Sequence, residues 1–167
     1  MKFHIPIFLI TMLVNAGCNE GLQPISLEET GFGGTISFVS KLPPPDSLFD
    51  FRIVAVPYYP IDTTFTQILI KILNDSIAYS PSTIQTLDSG SIVRYKMLVK
   101  PKIYRYVACV QQYGPDSFKQ WKVVGIYGFT TVNSAPSSVV VKDGIFTNSI
   151  DMVVDFYHLP PQPFKTP

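Results

Sequence analysis

A chain of 167 residues with thirteen Lys and Arg against twelve Asp and Glu has a formal charge of +1, and 46% of it is hydrophobic while 15% is charged. That length allows one domain around one core, and that composition excludes a disordered polyelectrolyte. The basic residues are scattered, with Lys96, Lys100, Lys102 and Arg105 the densest group, which argues against nucleic acid as a partner because polyanion binding rests on a concentrated basic face.

The first 17 residues read as a secretory signal: one positive charge at Lys2, an almost wholly apolar run from Ile5 to Val14, then small residues. The run is about ten residues, half of the roughly twenty a helix needs to cross a bilayer, so it is a targeting segment rather than a permanent span. Val14-Asn15-Ala16-Gly17-Cys18 resembles the lipobox of bacterial lipoproteins, with Asn15 where that pattern usually has leucine. The resemblance implies that Cys18 is acylated and becomes the first residue of the mature chain; an ordinary secretory peptide that happens to hold a cysteine is the alternative. It also implies three acyl chains, enough for stable anchoring when each buried methylene contributes about 0.8 kcal/mol. Asn19, by the sorting pattern of enterobacterial lipoproteins, favours the outer membrane. The expected partner is therefore the membrane, through Cys18. Loss of Lys2 with the signal leaves twelve basic and twelve acidic side chains, a neutral body. Residues 18–30, with Gly21 and Pro24, read as a tether.

From residue 31 to 157 the dominant signal is period two, broken by turn residues. After Gly31-Phe32-Gly33-Gly34, a first strand sets Ile36 and Phe38 on one face and Thr35 and Ser37 on the other. Pro43-Pro44-Pro45-Asp46 interrupts it. A second strand, Phe49 to Tyr59, opposes Phe51, Ile53 and Ala55 to Arg52, Val54 and Val56, with Pro57 marking an edge or an end. Residues 64–74 fit both periods. Helical spacing, which gives the better stripe through Phe65, Ile68, Leu69, Ile72 and Leu73, is favoured, with Asp62, Thr63 or Thr64 as N-cap and a brief strand following near Ser76 to Tyr79. The cleanest alternation is Ile92 to Val99, where Val93, Tyr95, Met97 and Val99 oppose Arg94 and Lys96. Lys100-Pro101-Lys102 reads as a hairpin corner into a strand from Ile103 to Gln111. Three more strands are expected at Trp121 to Tyr127, Ser138 to Lys142 and Ser149 to Phe156, the last opposing Ile150, Met152, Val154 and Phe156 to Asp151 and Asp155. Residues 158–167 are a proline-rich, extended tail. The fold class that results is all-β: a Greek-key-type β-sandwich of seven or eight strands with one short crossover helix near residues 64–74. Its edges are expected to be protected by Pro57, Pro101 and outward charges.

The succession Gly-Gly-Thr-Ile-Ser-Phe, Phe-Arg-Ile-Val-Ala-Val and Ile-Tyr-Arg-Tyr-Val-Ala-Cys-Val resembles bacterial prealbumin-like sandwich modules, the carboxypeptidase regulatory-like and transthyretin-like domains, over residues 31–156. The segment between 60 and 90 is an insertion relative to that module. Fold-level likeness implies architecture and no particular activity.

Catalytic chemistry finds little support. The sole histidines are His4, inside the signal, and His158, just before the proline tail, so the usual proton carrier has no place in a serine-type triad. The histidine pair and C-terminal signature of the transthyretin-like hydrolases of purine breakdown have no counterpart. No Cys-x-x-Cys, His-x-x-x-His or Asp-x-Asp-x-Asp-Gly spacing offers a metal site, and no cofactor is expected. Asp151 and Asp155 share a strand face about 13 Å apart, wider than the roughly 5 to 9.5 Å of paired glycosidase carboxylates. Cys109, set in an apolar run, reads as a small buried hydrophobe. The glycine-rich Gly31-Phe32-Gly33-Gly34 precedes a strand and lacks the helix amino terminus of a phosphate cradle. What remains is aromatic: Tyr58, Tyr59, Tyr113 and Trp121 fall at strand ends or loops, where aromatic anchors bind partners, although most aromatics in such a chain serve packing. The expectation is a non-catalytic, monomeric envelope lipoprotein with a structural or protein-interaction sandwich, or else a glycan- or peptide-binding accessory protein that uses those four aromatics.

Overall fold

The period-two pattern from Gly31 onward becomes sheet in the computed structural model, which describes residues 29–61, 64–81, 83–84, 90–130 and 135–163. The expected signal segment, Cys18 and the expected tether through residue 28 lie outside the described residues, as does the end of the tail. Along the described chain run β1 (Gly31–Phe38), β2 (Asp50–Val56), α1 (Phe65–Leu73), β3 (Ala78–Tyr79), β4 (Ile92–Leu98), β5 (Lys102–Tyr104), β6 (Tyr106–Gln112), β7 (Trp121–Ile126), β8 (Val139–Val141), β9 (Phe146–Thr147) and β10 (Met152–Val154).

These strands form an all-β sandwich. In the first sheet β1 is central, antiparallel to β4 and parallel to both β10 and β9. The second sheet is antiparallel in the order β3-β2-β6-β7, and β5 pairs with β8 in a small third sheet. Phe32, Ile36 and Phe38 of β1, with Met97 and Met152, meet Phe51, Ile53 and Ala55 of β2 and Cys109 of β6 in one buried cluster. Burying such side chains contributes about 1.5–3 kcal/mol each. The layers also touch directly: a Cβ on Gly125 of β7 would sit 2.6 Å from the Val153 carbonyl oxygen, so the absence of a side chain there lets β7 close on β10.

Alternation is obeyed where one face is wet. On β4 Tyr95 and Met97 are buried while Arg94 and Lys96 are exposed, and Lys96 pairs with Glu29. The strand count is ten among the described residues rather than seven or eight: the brief strand expected near Ser76 to Tyr79 is β3, but the single strand expected from Ile103 to Gln111 divides at Arg105 into β5 and β6, which pair in different sheets, and the two-residue β9 is too short for a pattern to register. The last strand is clipped to Met152–Val154 for a physical reason. Ser149 takes a positive φ of 64°, and the Asp151 carboxylate receives the Thr35 amide at 2.8 Å and its hydroxyl at 2.7 Å in place of a ladder bond.

Two expectations are corrected. Lys100-Pro101-Lys102 is no hairpin corner: β4 pairs with β1 and β5 with β8, so the chain there changes sheets. Pro57 guards no edge, since it ends β2, a central strand. The β7 edge is covered instead by the tail, where the Gln162 side-chain amide accepts from Val123 N at 2.8 Å and donates to Val123 O at 2.9 Å. The helix forms where the stripe placed it, and Thr64 is its N-cap: Gln67 N donates to Thr64 Oγ1 at 3.4 Å and Thr64 N donates to Gln67 Oε1 at 3.2 Å. Ile68 is buried and Ile72 half-buried, but Leu73 at the last turn is 86% exposed.

Met97→Asp, which buries an unpaired charge, is expected to cost about 3 kcal/mol or more, against about 1 kcal/mol or less for Arg94→Ala or Lys96→Ala. Chemical denaturation of the three variants checks this, and equal losses would refute the facing of β4.

Candidate functional site

β6 is buried at every residue from Tyr106 to Gln112, because the second sheet is covered on both sides. Its inner face belongs to the sandwich core. Its outer face presents the cross-strand rows Arg52-Val110-Val123, Val54-Ala108-Ile126 and Val56-Tyr106. A bulge between Cys109 and Val110 keeps both orientations in step: Val123 faces outward and Val124 joins the inner core. Covering the outer face are Ile68 and Ile72 of α1 together with Ile61 and Ile77.

The cover is incomplete. A nine-residue helix is about 13.5 Å long and 10 Å across, whereas four strands span about 14 Å between their outer axes and seven residues of strand about 23 Å. The uncovered remainder is a cavity of about 270 Å³, lined by Val54, Val56, Ile68, Val110, Val123 and Trp121, with Tyr106 in its wall and Asp50 and Arg52 at its border.

The charges at that border are committed to each other. Arg52 Nε donates to Asp50 Oδ2 at 2.8 Å and Nη1 to the Ser80 carbonyl at 2.8 Å, while Asp50 Oδ1 accepts from the Thr83 hydroxyl and the Phe51 amide, both at 2.8 Å. The guanidinium carbon also lies 6.0 Å from the centre of the Tyr79 ring.

Tyr106 is the anomaly of the site. Three tyrosines are buried among the described residues. Tyr95 donates to Ile150 O at 2.6 Å and Tyr104 to Lys100 O at 3.1 Å, whereas the Tyr106 hydroxyl is buried with no partner among the described residues. Burial, and secondarily the neighbouring Tyr59, push its pKa well above the ordinary tyrosine value, so it stays a neutral hydroxyl. An unmatched buried hydroxyl costs roughly 1–3 kcal/mol. The one comparable atom among the described residues is Gln111 Oε1, and the Gln111 amide nitrogen is engaged by Ser47 O.

The four aromatics singled out from the sequence are distributed around this face. Trp121 lines the cavity, half-buried, and its indole N–H donates to Ser117 O at 2.7 Å. Tyr59, 45% exposed, stacks on Tyr106 with ring centres 5.7 Å apart and planes 8° from parallel. Tyr58 packs against the same apolar cluster; its hydroxyl accepts from Lys71 Nζ at 2.9 Å, and that ammonium lies 4.4 Å from its ring centre. Tyr113 is set apart beyond the end of β6, with Lys122 Nζ 5.8 Å from its ring centre. They form no single flat strip. Tyr106 and Arg52 escaped the sequence reading as site residues, although the unbroken apolar run at Tyr106–Val110 was the available sign of a strand with two dry faces.

Elsewhere the reactive groups are spoken for. Cys109 is wholly buried, its Sγ 3.7 Å from Met152 Sδ, and burial pushes its thiol pKa far upward. The exposed His158 pairs through Nδ1 with Asp155 Oδ2 at 2.8 Å. Asp155 is held below the usual carboxylate range, first by the Tyr157 amide and then by His158. No group of three His, Cys, Asp or Glu gathers to hold a metal among the described residues. No protein-family model matches the chain, nor does any curated protein or solved structure.

With Cys18→Ser leaving a single thiol, Cys109 is expected to resist iodoacetamide at pH 8 in native buffer and to react once the chain is unfolded in guanidinium. Mass spectrometry reads the difference. Rapid native modification would show the strand to be open.

Proposed function

We propose that the chain is an exported lipoprotein held at the bacterial outer membrane by acylated Cys18, and that its sandwich is a non-catalytic binding module whose receiving site is the cavity between α1 and the outer face of the second sheet. The observation that carries the binding reading is an apolar cavity of about 270 Å³ walled by Val54, Val56, Ile68, Val110, Val123 and Trp121. Apolar concavities with a few polar groups are where small molecules bind. The layout of residues 1–18, a short apolar run closed by Ala16-Gly17-Cys18, supports the anchor. The order of the strand motifs in residues 31–156 supports a prealbumin-like ancestry for the sandwich. A glycan platform is the weaker reading: Lys71 lies over the Tyr58 ring and Tyr106 is stacked on the Tyr59 ring, so each of these rings has a neighbour already in contact.

Cys18→Ser is expected to abolish incorporation of a palmitate analogue and to shift the protein from the membrane to the soluble fraction. Labelling that persists in the variant would end the anchor proposal. Val110→Phe, which fills the cavity from the sheet side, is expected to weaken binding of the small neutral fluorophore 1-naphthylamine at least about ten-fold, the effect of some 1.4 kcal/mol, in a protein that still melts cooperatively. Undiminished fluorophore binding by the folded variant would remove the cavity from consideration.

A further inference from the structure

We infer that the free side of β4 receives an extended segment of a partner protein as an added antiparallel strand, with a carboxylate opposite Arg94 and apolar residues opposite Ile92 and Leu98. This surface belongs to the first sheet and is independent of the cavity against the second. The main chain comes first. β4 pairs with β1 alone, in unbroken register from Ile92 to Leu98. Phe38 N donates to Ser91 O at 3.0 Å at one end of that ladder, and Val99 N to Thr30 O at 3.3 Å at the other. Bonded pairs in an antiparallel ladder recur at every second residue, so Val93, Tyr95 and Met97 bond to β1 while Ile92, Arg94, Lys96 and Leu98 turn their N–H and C=O groups to the open side. No main-chain bond meets them there among the described residues.

Elsewhere the fold closes or shortens its edges: Gln162 caps β7, and β3 is two residues long. β4 has seven residues, no bulge and no proline, which is the kind of edge that accepts another strand. Its side chains decide which strand. A second copy of this chain is disfavoured, because antiparallel pairing of two β4 strands in any register of good overlap sets Arg94 or Lys96 of one against Arg94 or Lys96 of the other. Like charges directly opposite destabilise such a pair.

An acidic partner suits the same row. Ile92 and Leu98, 63% and 62% exposed, flank the two cations on the solvent face. Lys96 already holds a carboxylate, that of Glu29, and its ammonium lies 5.5 Å from the centre of the Phe146 ring. Arg94 is exposed and has no ion-pair partner among the described residues. Asp151, beyond β1, is taken by the Thr35 amide and hydroxyl. The unmet charge thus sits at one defined position of the edge, and a complementary strand carries its acid there, a small polar residue opposite Lys96, and apolar residues at both ends.

The test titrates the isotope-labelled full chain carrying Cys18→Ser with the end-blocked peptide Val-Thr-Thr-Thr-Glu-Thr-Val, at neutral pH and low salt where exposed charges are least screened, and follows the backbone amides by NMR. The largest shifts are expected at Ile92, Arg94, Lys96 and Leu98. A peptide with lysine in place of the glutamate is expected to bind about three- to ten-fold more weakly, the range of a cross-strand charge pair turned from favourable to unfavourable, and Arg94→Glu is expected to reverse that preference. Methylation of the glutamate nitrogen, which faces β4, is expected to weaken binding at least about three-fold, the loss of one main-chain bond, whereas methylation of the next threonine nitrogen, which faces away, leaves it unchanged. Shifts that avoid β4, or affinities indifferent to charge and to methylation, would overturn the inference. Concentration-dependent shifts at the same amides without peptide would give the edge to a second copy and overturn it too. Should Arg94→Glu fail to fold, the comparison of peptides on the unaltered edge decides. 1-Naphthylamine binding, expected to be the same in Arg94→Glu, reports on the cavity separately, so failure at β4 leaves the proposed function standing.

Discussion

A strand that is dry on both faces obliges the rest of the chain to arrange itself around it. β6 is that strand: its inward Val107 and Cys109 belong to the sandwich core, and its outward Tyr106, Ala108 and Val110 belong to a second apolar cluster. The first sheet answers the inner side. Nothing in the sandwich can answer the outer side, so the segment between β2 and β4 crosses over it as α1 and its flanking isoleucines. Sheet-on-sheet packing thus accounts for most of the core, and helix-on-sheet packing for the remainder. The cavity is the geometric residue of setting a short cylinder on a broader surface.

The legible parts of the fold are those where water marks one side. β4 could be read because arginine and lysine alternate with buried tyrosine and methionine, and the short helix because its stripe and its Thr64–Gln67 cap agree. The illegible parts are pairings between distant segments. Nothing local tells that β1 will lie parallel to β10 with Ile36 opposite Met152, or that β5 will leave β4 for β8. Local pattern also overran at Ser149 and Asp151, where a left-handed residue and a side-chain bond to Thr35 replace strand geometry.

The site was legible in part for the same reason. Aromatics at strand ends are conspicuous in a sequence, and Trp121 does line the cavity while Tyr58 and Tyr59 flank it. Tyr106 lies inside an apolar run and looked like core. What distinguishes it from Tyr95 and Tyr104 is the lack of an acceptor among the described residues, a property of three-dimensional surroundings that no spacing rule encodes. Arg52, similarly, acquires its meaning from Ser80 and Thr83, which converge on it and on Asp50 from some thirty residues away.

The hold of Gln162 on Val123 bears on how such molecules coexist when crowded together. A bare outer strand is a template, and neighbours of the same kind can extend it by main-chain pairing into ribbons and ultimately fibrils. Here one carboxamide imitates the donor and acceptor of a peptide group, engaging both Val123 N and Val123 O, and the prolines around it cannot continue a ladder. The C-terminal stretch thereby works as a zip stop, ending sheet growth on that flank within a single molecule.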